Sequence, residues 1–211
     1  LQYFLIMTYI IIVFTAIVSI AASRNSEFFS KFQFNAYQIY HRKEWYRLLS
    51  HGFLHANWTH LIVNMLVLFI FGPVVEEYFR NFVSPEAIRF HRIIFLLFYL
   101  AAIVLSSLLS LYKQRNDAWY NSVGASGAVS AIIFSYIFFN PWKMLYIYGL
   151  LPVPGIIMGV IYLIYSQYMS KRNIDNINHD AHFIGAVFGF IFPVILDYRL
   201  LGNFIGELLR F

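Results

Sequence analysis

The chain has 211 residues, of which 60% are hydrophobic and only 12% charged, with a formal net charge of +5 and no cysteine. A soluble domain carries roughly 25% charged residues, so the composition excludes a water-soluble globular protein and points to a polytopic membrane protein. Without cysteine there is no disulfide framework, thiolate nucleophile or Cys-based zinc site; the scattered positive charge forms no basic stripe of the kind that binds nucleic acid and suits an anionic lipid surface.

Crossing a bilayer core takes about 20 apolar residues in a helix. On that ruler the sequence predicts six spans, at approximately 3–22, 60–79, 93–112, 122–139, 154–169 and 181–198, in an all-α membrane bundle forming one domain over residues 1–211. The first residue is Leu1, not Met, so the natural chain is expected to begin upstream. The first apolar run exceeds the roughly 7–15 residues of a signal-peptide core and reads as a span. Between the first two spans, residues 23–59 interleave Arg24, Lys31, Arg42, Lys43, Glu44 and Arg47 with Phe28, Phe29, Phe32, Trp45 and Tyr46. That mixture predicts a long folded loop lying in the membrane interface. The stretch from Trp142 to Pro154 is apolar but broken by Pro152, Pro154 and Gly155, which predicts an interfacial connector.

In a serial bundle, spans two, four and six enter the membrane from the same side. His60 and Asn64 open span two, Ser126 opens span four and His182 opens span six, so all four are expected at similar depth on one face. A serine hydroxyl needs a base to act as a nucleophile, and a neutral imidazole at His182 can accept its proton and return it to a leaving amine. Asp180 lies two residues before His182, about 200° around a helix, and points away from it. A Ser-His dyad is therefore expected rather than a triad. His60 and Asn64 are four residues apart, about 40° around a helix; their N–H groups would stabilise an oxyanion together with the backbone N–H of Ser126.

Each of these parts has a plainer reading. Gly124 and Gly127 continue a small-residue face with Ser122, Ala125, Ala128, Ser130 and Ala131, and Gly185 and Gly189 form a GxxxG; both patterns serve close helix packing. Asn64 alone fits an interhelical hydrogen bond. His51 and His55 have the i, i+4 spacing of metal ligands but no HExxH and no nearby carboxylate, so no metal and no cofactor is expected. His41, His91 and His179 are expected at solvated or interfacial positions without a role.

Taken together, Trp45-Tyr46-Arg47, His51-x3-His55-x4-His60-x3-Asn64, Gly72-x3-Glu76, Gly124-x-Ser126-Gly127, Pro152-Val153-Pro154 and Ala181-His182-x2-Gly185-x3-Gly189 resemble the signature set of the rhomboid intramembrane serine proteases. The order and spacing match across essentially the whole chain. The resemblance implies a six-helix rhomboid core that cleaves transmembrane protein substrates near one membrane face, with Ser126 as nucleophile, His182 as general base, and His60 and Asn64 at the oxyanion. It also implies that Arg47 and Glu76 are structural, tying the long first loop to the bundle, and that His55 is a supporting hydrogen-bonding residue. The sequence departs from many bacterial members at Ser130, where an aromatic residue four positions after the serine packs beneath the histidine.

With the family's N-terminus-in arrangement the active site is extracytoplasmic, in a bacterial inner (plasma) membrane. That arrangement leaves nine of the 15 Lys and Arg outside and six inside, against the positive-inside preference. Two other classes are open: a catalytically inactive rhomboid-like protein that binds membrane clients, and a polytopic transporter. The first commonly lacks the serine or histidine, both present here. The second needs relay residues in the membrane, which are scarce.

Overall fold

The computed structural model describes residues 7–82, 88–147, 150–172 and 177–210. Six of its helices coincide with the apolar runs: α1 (Met7–Ser23), α5 (Trp58–Phe82), α6 (His91–Gln114), α7 (Ser126–Phe139), α8 (Gly155–Arg172) and α9 (His179–Leu196). Between α1 and α5 lie α2 (Ser26–Phe32), strand β1 (Phe34–Asn35), α3 (Ala36–Arg42) and α4 (Arg47–Ser50); strand β2 (Asn121–Ser122) precedes α7, and α10 (Leu200–Leu208) follows α9. The expected start of the first span, at residue 3, lies outside the described residues. Three helices, α5, α6 and α9, are long and apolar enough to cross a membrane by themselves, while α1 and α7 are shorter apolar helices.

The core contains large apolar side chains such as Leu68, Phe79, Phe95, Phe98 and Ile132, but the outer surface is apolar as well. The face that α1 buries is Thr8, Ile11, Thr15, Ser19 and Ala22, spaced at helical intervals and mostly small or polar. Ile10, Val13, Phe14 and Ile17 of the same helix are exposed, as are Ile62, Val63, Leu66, Phe69 and Ile70 of α5 and Ile157, Val160, Ile161 and Ile164 of α8. Ser106, Ser107, Ser110, Ser130, Ser135 and Ser166 are instead buried among the helices. Large apolar side chains facing outward, with small hydroxylated residues among those packed between helices, suit helices solvated by lipid. The protein is a mostly helical, multi-pass membrane protein.

Two expectations are corrected. The bundle is not purely α: β1 pairs antiparallel with β2, and the expected Trp142–Pro154 connector contains a hairpin of β3 (Met144–Ile147) and β4 (Leu151–Pro154). Strand pairing satisfies backbone groups where Pro152 and Pro154 forbid a helix. The fourth helix begins at Ser126 rather than near 122 because Gly124 has φ +122°, a left-handed conformation that interrupts helical continuation and is easily adopted only by glycine.

The α1–α5 segment is knit by one buried side chain. Arg47 pairs with Glu44 at 2.6 Å, donates to the Ser30 and Gln33 carbonyls at 2.8 Å each, and to Gln38 Oε1 at 2.7 Å. Ser50 donates to the Phe32 carbonyl at 2.7 Å. The carbonyls at the end of α2, which have no partner within the helix, are thus gathered by α4. Glu76 acts elsewhere: its carboxylate accepts from the Met7 and Thr8 N–H groups and from Thr8 Oγ1 at 3.0–3.1 Å, so it ties α5 to α1 and not to the connecting loop. Gly72 makes room for this, since a Cβ there would lie 2.5 Å from Thr8 Cγ2.

Candidate active site

Ser126 is the first residue of α7 and is half-buried. Its approach is fixed on several sides. Gly124 N–H donates to the His51 carbonyl at 3.0 Å, Asn121 and Ser122 pair with β1, and Asn35 Nδ2 donates to the Ala118 carbonyl at 2.9 Å and to Asn121 Oδ1 at 3.0 Å. At the start of a helix the N–H groups of Ser126 and its successors have no intrahelical partner, and they form the positive end of the helix dipole.

His182 lies in the first turn of α9. Asn178 caps that helix: its Oδ1 accepts the Ala181 N–H at 3.1 Å and the Ser110 hydroxyl of α6 at 3.0 Å. Glycines then bring α9 onto α7. A Cβ on Gly185 would collide with the Gly127 carbonyl, one on Gly189 with the Ala131 carbonyl, and one on Gly127 with Ser106 Oγ while lying 3.3 Å from the Ala181 carbonyl oxygen. Ser135 adds a 2.7 Å hydrogen bond to the Gly189 carbonyl. The backbone next to Ser126 therefore touches the backbone next to His182.

The start of α5 closes the same end of the bundle. Asn57 Oδ1 caps it by accepting the His60 N–H at 2.8 Å. The His60 ring lies against the approach to Ser126, since a Cβ on Gly124 would sit 2.5 Å from His60 Cε1. Asn64 is buried, and its Nδ2 donates to the His60 carbonyl at 2.9 Å, which leaves one further amide N–H on that side chain.

Beneath His60, His55 meets it edge to face with ring centroids 4.9 Å apart. Ser19 donates to the Phe53 carbonyl at 2.8 Å and lies 2.9 Å from His55 Nδ1, so Nδ1 carries the proton that Ser19 accepts and Nε2 keeps its lone pair. Burial, with the neighbouring His60 adding to it, pushes the His55 ring down to about 3; burial likewise pushes His51 down to about 4. Burial thus favours the neutral form of both rings.

The remaining ionisable groups lie away from this junction or beside it. Asp180 is held by Lys113 at 2.8 Å and by the Ser170 hydroxyl. His41 is exposed and lies 3.3 Å from Asn116 Oδ1, and His91 is half-buried at the start of α6. Of the solvated and interfacial positions expected for His179, the solvated one is excluded: it is only 4% exposed, with Tyr165 of α8 edge-on to it at 5.7 Å and His182 meeting it at 5.8 Å. Sequence reasoning also missed Tyr162, whose ring stacks on His182, and Asn178; neither stands in a recognisable local motif, although an Asn before an apolar helix is a capping signal.

A family model described as "Rhomboid domain" matches residues 42–199. The chain is 31% identical over 173 residues to rhomboid-like protein 11, chloroplastic, of Arabidopsis thaliana, covering 75% of this chain and 55% of that protein. It is 30% identical over 148 residues to the putative rhomboid protease YdcA of Bacillus subtilis (strain 168), covering 70% and 65% respectively, and 30% identical over 168 residues to rhomboid protease GluP of the same organism, covering 79% and 29%. The aligned part thus spans between about half and two thirds of the first two relatives. With the domain match reaching from the end of α3 to Arg199, just before α10, the chain belongs to the rhomboid family.

Proposed function

We propose that this protein is an intramembrane serine endopeptidase that cuts transmembrane protein substrates through a Ser126–His182 dyad. The observation that carries the reading is the contact of Gly127 with Ala181 and Gly185, which starts the two side chains from adjoining positions on facing first turns. In this mechanism His182 takes the proton as Ser126 Oγ attacks the scissile carbonyl, then gives it to the departing amine. The Ser126 N–H, the free Asn64 amide N–H and His60 stabilise the oxyanion. Water then hydrolyses the acyl-enzyme, with His182 again as base. No cofactor or metal takes part.

The same reading makes the chain a single six-span domain with residues 23–59 as an interfacial first loop, in a bacterial plasma membrane with the site extracytoplasmic. Its partners are the bilayer and membrane-spanning substrates, not nucleic acid. A peptide bond within a helix is shielded, so a substrate must unwind locally, and Gly or Pro near the scissile bond should speed cutting. An inactive client-binding role is disfavoured by the presence of both Ser126 and His182.

The test is an active-site-directed fluorophosphonate together with cleavage of a single-span model substrate in detergent. Labelling at one site and cleavage, both lost in Ser126→Ala and in His182→Ala and both insensitive to EDTA, are expected. Cleavage that survives Ser126→Ala would overturn the proposal.

A further inference from the structure

Building on the proposed dyad, we infer that Tyr162 of α8, anchored by Ser130 of α7, is the aromatic support that fixes the His182 ring. A general base works only when its ring is held in register with the nucleophile, and a histidine attached by two rotatable bonds needs a neighbour to hold it. The position one turn after Ser126, Ser130, is too small to reach it. The need is met from the adjacent helix. The Tyr162 and His182 rings lie nearly parallel, 20° apart, with centroids 6.3 Å from each other, within the range of offset aromatic pairs.

A tyrosine on α8 holds a ring on α9 only if its own position is fixed. The hydroxyls of Tyr162 and Ser130 are 2.7 Å apart, and Ser130 is 4% exposed, so this polar contact is protected from competing water. Phe134, one turn further along α7, meets the Tyr162 ring at 5.6 Å. Gly159, one turn before Tyr162, packs on the same face of α7, where a Cβ would make ordinary contact with Ile137 and Phe134 at 3.4 Å. His182 is also met by His179, edge-on at 5.8 Å, itself met by Tyr165 of α8. Two tyrosines three residues apart on α8 thus meet the two histidines of the first turn of α9. Tyr162 is a positioning residue: it acts on catalysis through His182.

The test uses full-length protein in micelles, with the turnover of a single-span substrate and the ring signal of His182 in protein carrying 13C-labelled histidine, assigned through His182→Gln. Tyr162→Leu should lower kcat about tenfold to a hundredfold with KM little changed, and should move the His182 ring-proton signal by removing the shielding of the stacked ring. Tyr162→Phe keeps the ring but loses the hydroxyl anchor, and should recover kcat to within about threefold of wild type with the signal near its native position but broadened. Ser130→Ala removes only the anchor, and should cost about threefold and broaden the signal. Unchanged kcat and signal in Tyr162→Leu, or a Tyr162→Phe protein as impaired as Tyr162→Leu, would overturn the inference. The signal reads the ring contact whether or not the protein cleaves: a Tyr162-dependent signal in a wild-type protein that neither labels nor cuts would remove the proposed function and leave this contact standing.

Discussion

Acidification should unfold this protein through two histidines that take no part in the proposed chemistry. His51 and His55 are 6% and 4% exposed and lie between α4 and α5, with their rings pushed down to about 4 and about 3 by burial. An unfolded histidine titrates near 6.5, so below that pH the unfolded chain binds more protons than the folded one, and stability falls as pH falls. The folded-state values are depressed; the stability these groups contribute is therefore fully present above about 6.5 and is lost progressively toward pH 4 for His51 and pH 3 for His55. At pH 5 each costs about 2 kcal/mol relative to pH 7.5, about 4 kcal/mol together, from 1.36 kcal/mol per pH unit below the unfolded pKa. Thermal unfolding in a neutral detergent should show Tm dropping by on the order of 10 °C between those two pH values. His55→Asn should remove about half of the pH-dependent part, whatever its effect at pH 7.5. A Tm that does not change from pH 7.5 to 5 would show that both rings accept protons in the folded state, and would sink the argument from burial.

Arg47→Lys keeps the charge but cannot fork to Glu44, Gln38 and two carbonyls together; it should cost about 2–4 kcal/mol of stability, read by thermal unfolding, and unchanged stability would show that α2 and α4 do not depend on that hub. Gly185→Ala should cost about 1–3 kcal/mol and reduce turnover by separating the first turns of α7 and α9, whereas Gly202→Ala, which meets nothing within 4 Å, should do neither; equal effects from the two would refute the close-docking argument. Since the chain has no cysteine, a membrane-impermeant maleimide on intact cells should label cysteines placed at Lys31 and Lys171 and spare one at Arg89 if the proposed site is extracytoplasmic, and the reverse pattern would move it to the cytoplasmic face.

The helices were the legible part of this fold, because apolar runs of bilayer length admit few other structures. Their ends were less so. The apolar run that becomes α7 continues upstream through Val123 and Ala125, so hydrophobicity alone extends the helix by a turn; the stop is a backbone property of Gly124, visible only once its φ is known. Arg47 was legible as structural through a resemblance, but not all its partners were, since two of the four, at Ser30 and Gln33, are backbone carbonyls that carry no side-chain signal. Glu76 illustrates the same limit: a buried carboxylate announces a bond, while the choice between the loop and the start of α1 depends on which helix packs at Gly72.

Tyr162 marks the deeper reason that part of the site was hidden. Motifs preserve spacing along one helix, and Ser130 reads as a gap when the search stays on α7. The protein closes that gap across space, where the Ser130 hydroxyl meets the Tyr162 hydroxyl and the tyrosine ring meets His182. In a bilayer such an exchange has a physical logic. Gly127 and Gly189 keep the α7–α9 contact close, and a ring brought from α8 meets the histidine without adding bulk to either of those two helices. The requirement on the sequence is then that one of two facing positions be small and polar and the other aromatic with a hydroxyl, a condition on a pair of residues 32 apart that no reading of either helix alone can see.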